Sequence, residues 1–361
     1  MKSFIKQNIL YFYIGIFLII SYLSILNTVR YLSPTIGKIY YKQIIWYSLG
    51  ILLIYFIKRI NIKTIYKISP YLYIINLILL FGLFFFGSEI NNSKSWYNIL
   101  GISFQPSEFM KISILLLDTY LISKYKKEDL KLIIWLFIIL LIPGILTFLQ
   151  PDTGAVIGYF VITLSLLFIS DINKKWIKRI ILLLILVIIL FLFIYFNYQE
   201  MFINVFGSSF FYRIDRLINW QAKSGIQLNN SLIAIGSAGL IGHNYIPIYY
   251  PELETDFIFT SFTTSFGIFG GIALIILLFS FDLYILNLIK KEPNKQNKYL
   301  LFGILFLFLY QHIQSIGMTL GLLPITGITL PLISYGGSSV LSNLILIGII
   351  MSMQNKKNRL F

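Results

Sequence analysis

The composition of this 361-residue chain excludes an ordinary soluble domain. Hydrophobic residues make up 58% of the sequence and charged residues only 12%, with a mean hydropathy of +0.83. Soluble proteins of this length do not reach such values. The formal net charge of +15 would suit a nucleic-acid partner. However, most of the basic residues lie in connections that would face one side of a membrane. We therefore expect an all-α integral membrane protein with no nucleic-acid partner.

Ten apolar runs are long enough to cross a membrane as helices, and they predict a polytopic bundle that occupies residues 1–361 as one domain. Basic residues lie roughly three to one on the side of the N-terminus, so the positive-inside rule places both termini in the cytoplasm. The segment between the seventh and eighth helices then lies outside. The runs lie at about 8–26, 43–60, 71–88, 107–123, 131–149, 154–170, 177–196, 256–289, 299–320 and 337–354.

The connections between these runs limit the chemistry. Those on the cytoplasmic side have about ten residues each, too few to fold a nucleotide-binding domain. Energy must therefore come from an ion gradient or from an activated substrate. The outer segment 197–255 is long, so a site for a large substrate should open there. Within it, residues 227–242 predict a re-entrant or interfacial helix that ends in glycine.

Ionisable residues mark the start of the fourth run. Ser107 and Glu108 follow a proline, which is typical of a helix start. Glu108 and Lys111 are three residues apart and share a helix face, and Asp118 follows on the same stripe. Charges inside a membrane helix are costly and indicate a cavity or a partner. The alternative is a structural Glu108–Lys111 pair that orients the helices.

A short turn joins the fifth and sixth runs on the outer side. It reads Gln-Pro-Asp-Thr-Gly from residue 150. Asp152 is well placed to cap the following helix, because its carboxylate can accept hydrogen bonds from the first free amides. We therefore interpret Asp152 as mainly structural.

Two arginines in the outer segment are exceptions to the positive-inside rule. Arg213 and Arg216 lie close together, which indicates an anionic partner. That partner is either Asp215 or Glu200 in a plain salt bridge, or a pyrophosphate or lipid head group.

An acid stands where the outer segment becomes the eighth run. Asp256 lies in the string Thr-Asp-Phe-Ile-Phe, partly out of water, and this raises the pKa of a carboxyl toward that of a useful base. The alternative is an acid that only caps the helix.

A loop rich in Pro, Gly and Ser precedes the last run. Residues 331–339 read Pro-Leu-Ile-Ser-Tyr-Gly-Gly-Ser-Ser. Such a backbone cannot face lipid, so at membrane depth it must be buried in protein or line a cavity. Gly336 and Gly337 permit a close approach of the backbone, and Ser334 and Ser338 supply hydroxyl groups.

These motifs, in this order, resemble the signatures of the SEDS family (shape, elongation, division and sporulation proteins) of bacterial cell-wall synthesis. The resemblance covers nearly the whole chain and is closest to the elongation member rather than the division member. Two departures stand out: Thr264 and Ser265 replace a Glu-Glu pair, and Gly242-His243 replaces the start of Gly-Lys-Gly.

The resemblance implies a peptidoglycan glycosyltransferase that polymerises lipid II, with Asp256 as the catalytic base. It implies a class B penicillin-binding protein and other membrane proteins of the elongation complex as partners. No cofactor is expected, apart from an optional divalent cation. Alternatives are a lipid II flippase and an inactive scaffold. The expected substrate-binding residues are Trp96, Gln105, Ser107, Glu108, Lys111, Arg213, Arg216, Ser334, Gly336, Gly337 and Ser338.

Overall fold

The computed structural model describes residues 2–29, 39–90, 93–99, 101–125, 129–220, 225–243 and 250–355. This part of the chain forms thirteen helices and one small sheet. In chain order they are α1 Lys2–Val29, α2 Ile39–Ile57, α3 Ile62–Phe86, β1 Ser88–Ile90, β2 Ser93–Ile99, β3 Ile102–Phe104, α4 Pro106–Lys124, α5 Asp129–Leu149, α6 Thr153–Ile169, α7 Lys174–Asn197, α8 Gln199–Phe206, α9 Ser208–Ile218, α10 Ile226–Ser237, α11 Ile258–Lys291, α12 Lys295–Thr319 and α13 Gly337–Gln354.

Each of the ten predicted runs coincides with a helix, which confirms the polytopic all-α fold. Eight of the described helices are long and apolar enough to cross a membrane: α1, α2, α3, α5, α7, α11, α12 and α13. The remaining two predicted runs are α4, which carries Glu108, Lys111 and Asp118, and α6, which is shorter at 17 residues.

Two local features differ from the sequence prediction. Helix α3 begins at Ile62, capped by the side chain of Asn61, and so includes residues that we expected in a cytoplasmic loop. The strands β1, β2 and β3 form an antiparallel sheet in that order. These strands are short and have little apolar alternation, so the sequence pattern did not reveal them.

Helix α4 lies at the centre of the bundle. It packs against α3, α5, α6, α12 and α13, and most of its side chains are buried. Its polar residues therefore face protein rather than lipid, as the cost of intramembrane charge requires. Helix α7 is the opposite case: after its basic first turns it is apolar on all sides, and Tyr195 is the only described residue of the helix that is buried.

Helix α11 is broken at Gly267. This residue has φ 72° and ψ −176°, a conformation that glycine adopts without steric cost. The polypeptide after α10 crosses the break and supplies hydrogen bonds: Ile268 N donates to Gly239 O at 3.0 Å and His243 N donates to Thr264 O at 3.0 Å. The free backbone groups at the break are thus paired within protein.

The described residues of the segment 197–255 form three helices, α8, α9 and α10. The helix expected within residues 227–242 is present as α10, which packs on α11 and α12. The hydroxyl of Ser231 donates to Thr319 O at 2.9 Å and lies 2.6 Å from the hydroxyl of Thr260. The re-entrant or interfacial position of this helix stays a prediction.

Candidate functional site

A buried ion pair lies near the start of α4. Lys111 Nζ donates to Glu108 Oε1 at 2.8 Å, and the two side chains are 3% and 9% exposed. Ser342 Oγ of α13 donates to the second oxygen, Glu108 Oε2, at 3.0 Å. Both carboxylate oxygens of Glu108 are therefore satisfied, and Lys111 points into the bundle. Sequence reasoning missed Ser342, because a lone serine in an apolar run gives no signal.

The turn before α6 packs against the same helix start. Asp152 caps α6 by accepting from Ala155 N at 3.0 Å, which confirms the predicted cap. Its other oxygen accepts from Gln105 Nε2 at 3.0 Å and from Ser107 Oγ at 2.8 Å. Burial raises the pKa of Asp152, and its hydrogen bonds and the charge of Lys111 counteract that rise. The expected site residues Gln105 and Ser107 thus hold a carboxylate.

Strand β2 leads into this turn from the other side. Ser93 Oγ and Ser95 Oγ both donate to Gln150 O, at 2.8 and 2.6 Å. Trp96 follows on the same strand and is half-buried. The sheet therefore ties the strand that carries Trp96 to the turn at Gln150, and no sequence pattern predicted the sheet.

The Gly-Gly-Ser-Ser segment begins α13 and contacts the residue before α4 and the ring of Trp46. Ser338 Oγ accepts from Gln105 N at 2.9 Å. The carbonyl of Gly336 accepts the first hydrogen bond of the helix, from Val340 N at 2.9 Å. A Cβ atom added to Gly337 would lie 2.5 Å from Trp46 Cε2. The close approach that we predicted here is therefore made to the ring of Trp46.

Asp256 lies in the turn just before α11 and is partly exposed. The N-cap of α11 is Phe257, with no side-chain cap, so the capping interpretation of Asp256 is wrong. Among the described residues, no donor bonds to its carboxylate. Burial raises the pKa of Asp256 to about 7, and the negative charges of Glu252, Asp152 and Glu254 add to the rise.

The Pro-rich loop is bonded to the segment that carries Asp256. Ser334 Oγ donates to Thr255 O at 2.6 Å, and Tyr335 N donates to Glu254 O at 2.9 Å. Ser334 itself accepts from Leu330 N at 2.8 Å. The hydroxyl that we expected to bind substrate is thus engaged with the backbone next to Asp256.

Several predicted residues lie apart from this cluster or outside the description. The backbone of α9 carries Arg213 and Arg216, but their side chains lie outside the described residues. Asp118 is buried further along α4 and accepts from Thr163 Oγ1 at 2.8 Å. Within the described ranges, no group of three or more His, Cys, Asp or Glu side chains could hold a metal ion.

The two histidines have different partners. His312 Nδ1 lies 2.9 Å from Asp282 Oδ2 between α11 and α12. His243 Nε2 lies 2.6 Å from Ser237 O.

The fold and this site define a polytopic membrane protein with a buried ion pair and a partly exposed carboxylate. Residues 1–359 match the model of the FtsW, RodA and SpoVE family, described as cell cycle proteins. The chain belongs to this family, the SEDS family.

Relatives and a solved structure agree with this assignment. The chain is 34% identical to the probable peptidoglycan glycosyltransferase FtsW of Wigglesworthia glossinidia brevipalpis, over 83% of this chain and 80% of that protein. It is 27% identical to the peptidoglycan glycosyltransferase RodA of Treponema pallidum, over 89% and 91%. A chain in a structure on polymerization and crosslinking by a peptidoglycan synthase complex has a TM-score of 0.80 at 22% identity, over 96% of both chains.

These similarities do not separate the two branches of the family. The relative in Wigglesworthia carries the FtsW name and that in Treponema the RodA name, both with extensive coverage. The assignment to the elongation branch therefore stays a prediction.

Proposed function

We propose that this chain is a peptidoglycan glycosyltransferase that polymerises lipid II on the outer face of the bacterial cytoplasmic membrane. The observation that carries the proposal is Asp256, a carboxylate without a hydrogen-bond donor among the described residues. Its pKa is raised to about 7, and it lies at the end of the outer segment. Relatives over most of the chain bear the name of this activity.

A single base suffices for this reaction. The acceptor hydroxyl oxygen attacks the activated sugar carbon, the bond from that carbon to the pyrophosphate breaks, and the proton passes to Asp256 Oδ. Pyrophosphate is a weak base and leaves without a general acid, unlike the leaving groups of glycosidases. Its charge needs a cation instead. Lys111 is one candidate, which requires it to exchange Glu108 for the pyrophosphate, and Arg213 and Arg216 are the others.

The orientation and the partners are part of the same proposal. The distribution of basic residues supports cytoplasmic termini, which leaves the Asp256 end outside, where lipid II is consumed. A class B penicillin-binding protein would crosslink the glycan strands, and the fold neighbour comes from a complex whose description couples polymerization to crosslinking. Within this proposal, the resemblance favours a role in elongation and rod shape.

The test is polymerisation of lipid II by the purified full-length protein in vesicles, with and without a class B penicillin-binding protein. Asp256→Asn keeps the size of the side chain but cannot accept the proton, so the rate should fall by roughly 10²–10⁴-fold. Asp152→Asn is the matched control, because Asp152 caps α6. Its rate should fall far less, in proportion to any loss of folded protein.

Other outcomes would contradict the proposal. Transfer of lipid II across the vesicle without polymer would identify a flippase, and neither activity would identify a scaffold. A near-normal rate for Asp256→Asn together with an inactive but folded Asp152→Asn would move the base to the turn at Asp152.

A further inference from the structure

Three buried side chains of α1 and α2 hydrogen bond to carbonyl groups of the Pro-rich loop. Ser21 Oγ donates to Ile333 O at 2.6 Å. Gln43 Nε2 donates to Ser334 O at 3.1 Å and to Ser21 Oγ at 2.9 Å. Tyr47 OH donates to Leu332 O. We call Ser21, Gln43 and Tyr47 the brace.

The brace secures consecutive carbonyls of a loop that has a strained backbone. Leu332 has φ 63°, a left-handed conformation that costs energy for a residue with a Cβ atom. It is also 1% exposed, so its carbonyl has no access to water. Such a backbone persists only when its surroundings determine it, and the hydrogen bonds of the brace supply that constraint.

The other side of the loop reaches the segment that carries Asp256. Ser334 Oγ donates to Thr255 O, and Tyr335 N donates to Glu254 O. These are the two residues immediately before Asp256. The carboxylate has no donor of its own among the described residues, so its position depends on the backbone that carries it.

We propose that Gln43 and Tyr47 are positioning residues for the base Asp256, and that they act through the loop of residues 330–335. They touch neither substrate nor Asp256. Removal of their hydrogen bonds leaves buried carbonyls unpaired and lets the loop shift. The backbone at Thr255 shifts with the loop, and the distance from Asp256 to the acceptor hydroxyl changes. The inference rests on the proposed function for its kinetic consequence but not for its structural one.

The kinetic test compares Tyr47→Phe and Gln43→Met with Tyr73→Phe. Tyr73 is the matched control, since it is a buried tyrosine whose hydroxyl donates to a carbonyl, Ile139 O at 3.1 Å, away from the loop. With lipid II as substrate, kcat should fall about ten-fold in both brace variants, because small displacements of a reacting group are costly. KM should change less than about two-fold, and the acid limb of the pH–rate profile should move. Tyr73→Phe should keep the native kcat and pH profile.

A second readout does not need the reaction. The chain has no cysteine, so Asp256→Cys introduces a single thiol at the position of the base. Its rate of reaction with a maleimide should change at least about three-fold when Tyr47→Phe is added, and should not change when Tyr73→Phe is added. If the native chain makes no polymer but this rate responds to Tyr47, the proposed function fails and the brace stands.

The opposite results overturn the inference. Folded Tyr47→Phe and Gln43→Met proteins with native kcat, pH profile and thiol reactivity would show that the loop is held without the brace. Equal losses in Tyr73→Phe would show a general effect of buried hydroxyl removal.

Discussion

Glu108 and Asp256 are carboxylates of one site with opposite surroundings. Glu108 is nearly buried, and its two oxygens accept from Lys111 at 2.8 Å and Ser342 at 3.0 Å. Asp256 is partly exposed and has no donor among the described residues, while burial and the charges of other acids raise its pKa to about 7. The partners of Glu108 fix its position, whereas the carboxyl of Asp256 can take up a proton near neutral pH.

The different surroundings of Glu108 and Asp256 suit them to different roles. The Glu108 pair joins α4 to α13 and sits beside the turn of Asp152, so it organises the site. Among the described residues, the carboxylate of Asp256 has no cation and no donor, which suits its proposed role as a base.

Breaking the ion pair should have the largest effect on stability. Lys111→Met leaves Glu108 as a buried charge without its cation, which should lower the free energy of unfolding by about 3–5 kcal/mol. The double variant Glu108→Gln with Lys111→Met removes both charges and should recover much of that loss. Denaturation of the protein in detergent, followed by tryptophan fluorescence, measures both.

An exposed pair provides the control. Lys295 Nζ lies 2.8 Å from Asp171 Oδ2, the same distance, but the side chains are 66% and 57% exposed. Lys295→Met should therefore lower the free energy of unfolding far less than Lys111→Met, because water screens the exposed pair. Equal costs for Lys111→Met and Lys295→Met would contradict the role of burial.

The unpaired carboxylate should make stability depend on pH. Because the folded-state pKa of Asp256 is raised to about 7, the folded chain holds a proton that the unfolded chain releases near pH 4. This stability is complete below pH 4 and is lost as the pH rises through 7. For a partly exposed group we expect a loss of about 2 kcal/mol.

Asp256→Asn should remove that contribution. Thermal melts of the native chain and the variant at pH 4 and pH 8 should lie close together at pH 4 and favour the variant at pH 8. A parallel pH dependence of the two proteins would show that Asp256 does not titrate in this range.

The ionisation of Asp256 should also control the rate of polymerisation. Only ionised Asp256 accepts the proton, so the initial rate of lipid II polymerisation should fall about ten-fold between pH 8 and pH 6. Glu252→Gln removes a nearby negative charge and keeps the oxygen that accepts from Thr255 Oγ1 at 2.6 Å. The midpoint of the pH–rate profile should therefore move to lower pH in this variant. A profile that is flat from pH 6 to pH 8 would exclude Asp256 as the base.

Local signals predicted the site residues that depend on a helix start or a motif. Pro106 and Glu108 marked the start of α4, which begins at Pro106, and Asp152 caps α6 as expected. Such features involve residues only a few positions apart, so the sequence displays them directly.

Features that join distant parts of the chain were not predictable. The bond from Gln43 to Ser334 and that from Ser342 to Glu108 each connect opposite ends of the sequence. A polar residue in an apolar run indicates a partner but does not identify it. The capping interpretation of Asp256 failed for a related reason: the turn of residues 251–257 is held by the distant loop, and α11 begins two residues later than Asp256.

The break at Gly267 divides α11 into two separate helical parts. With 34 residues, an unbroken helix would be roughly 51 Å long, whereas the hydrocarbon core of a bilayer is about 30 Å thick. The part after Gly267 is long enough to cross the membrane alone, at roughly 36 Å. The short part before it is not needed as an anchor. It is a separate short helix directly after Asp256, held at the break by the hydrogen bond from His243 N to Thr264 O.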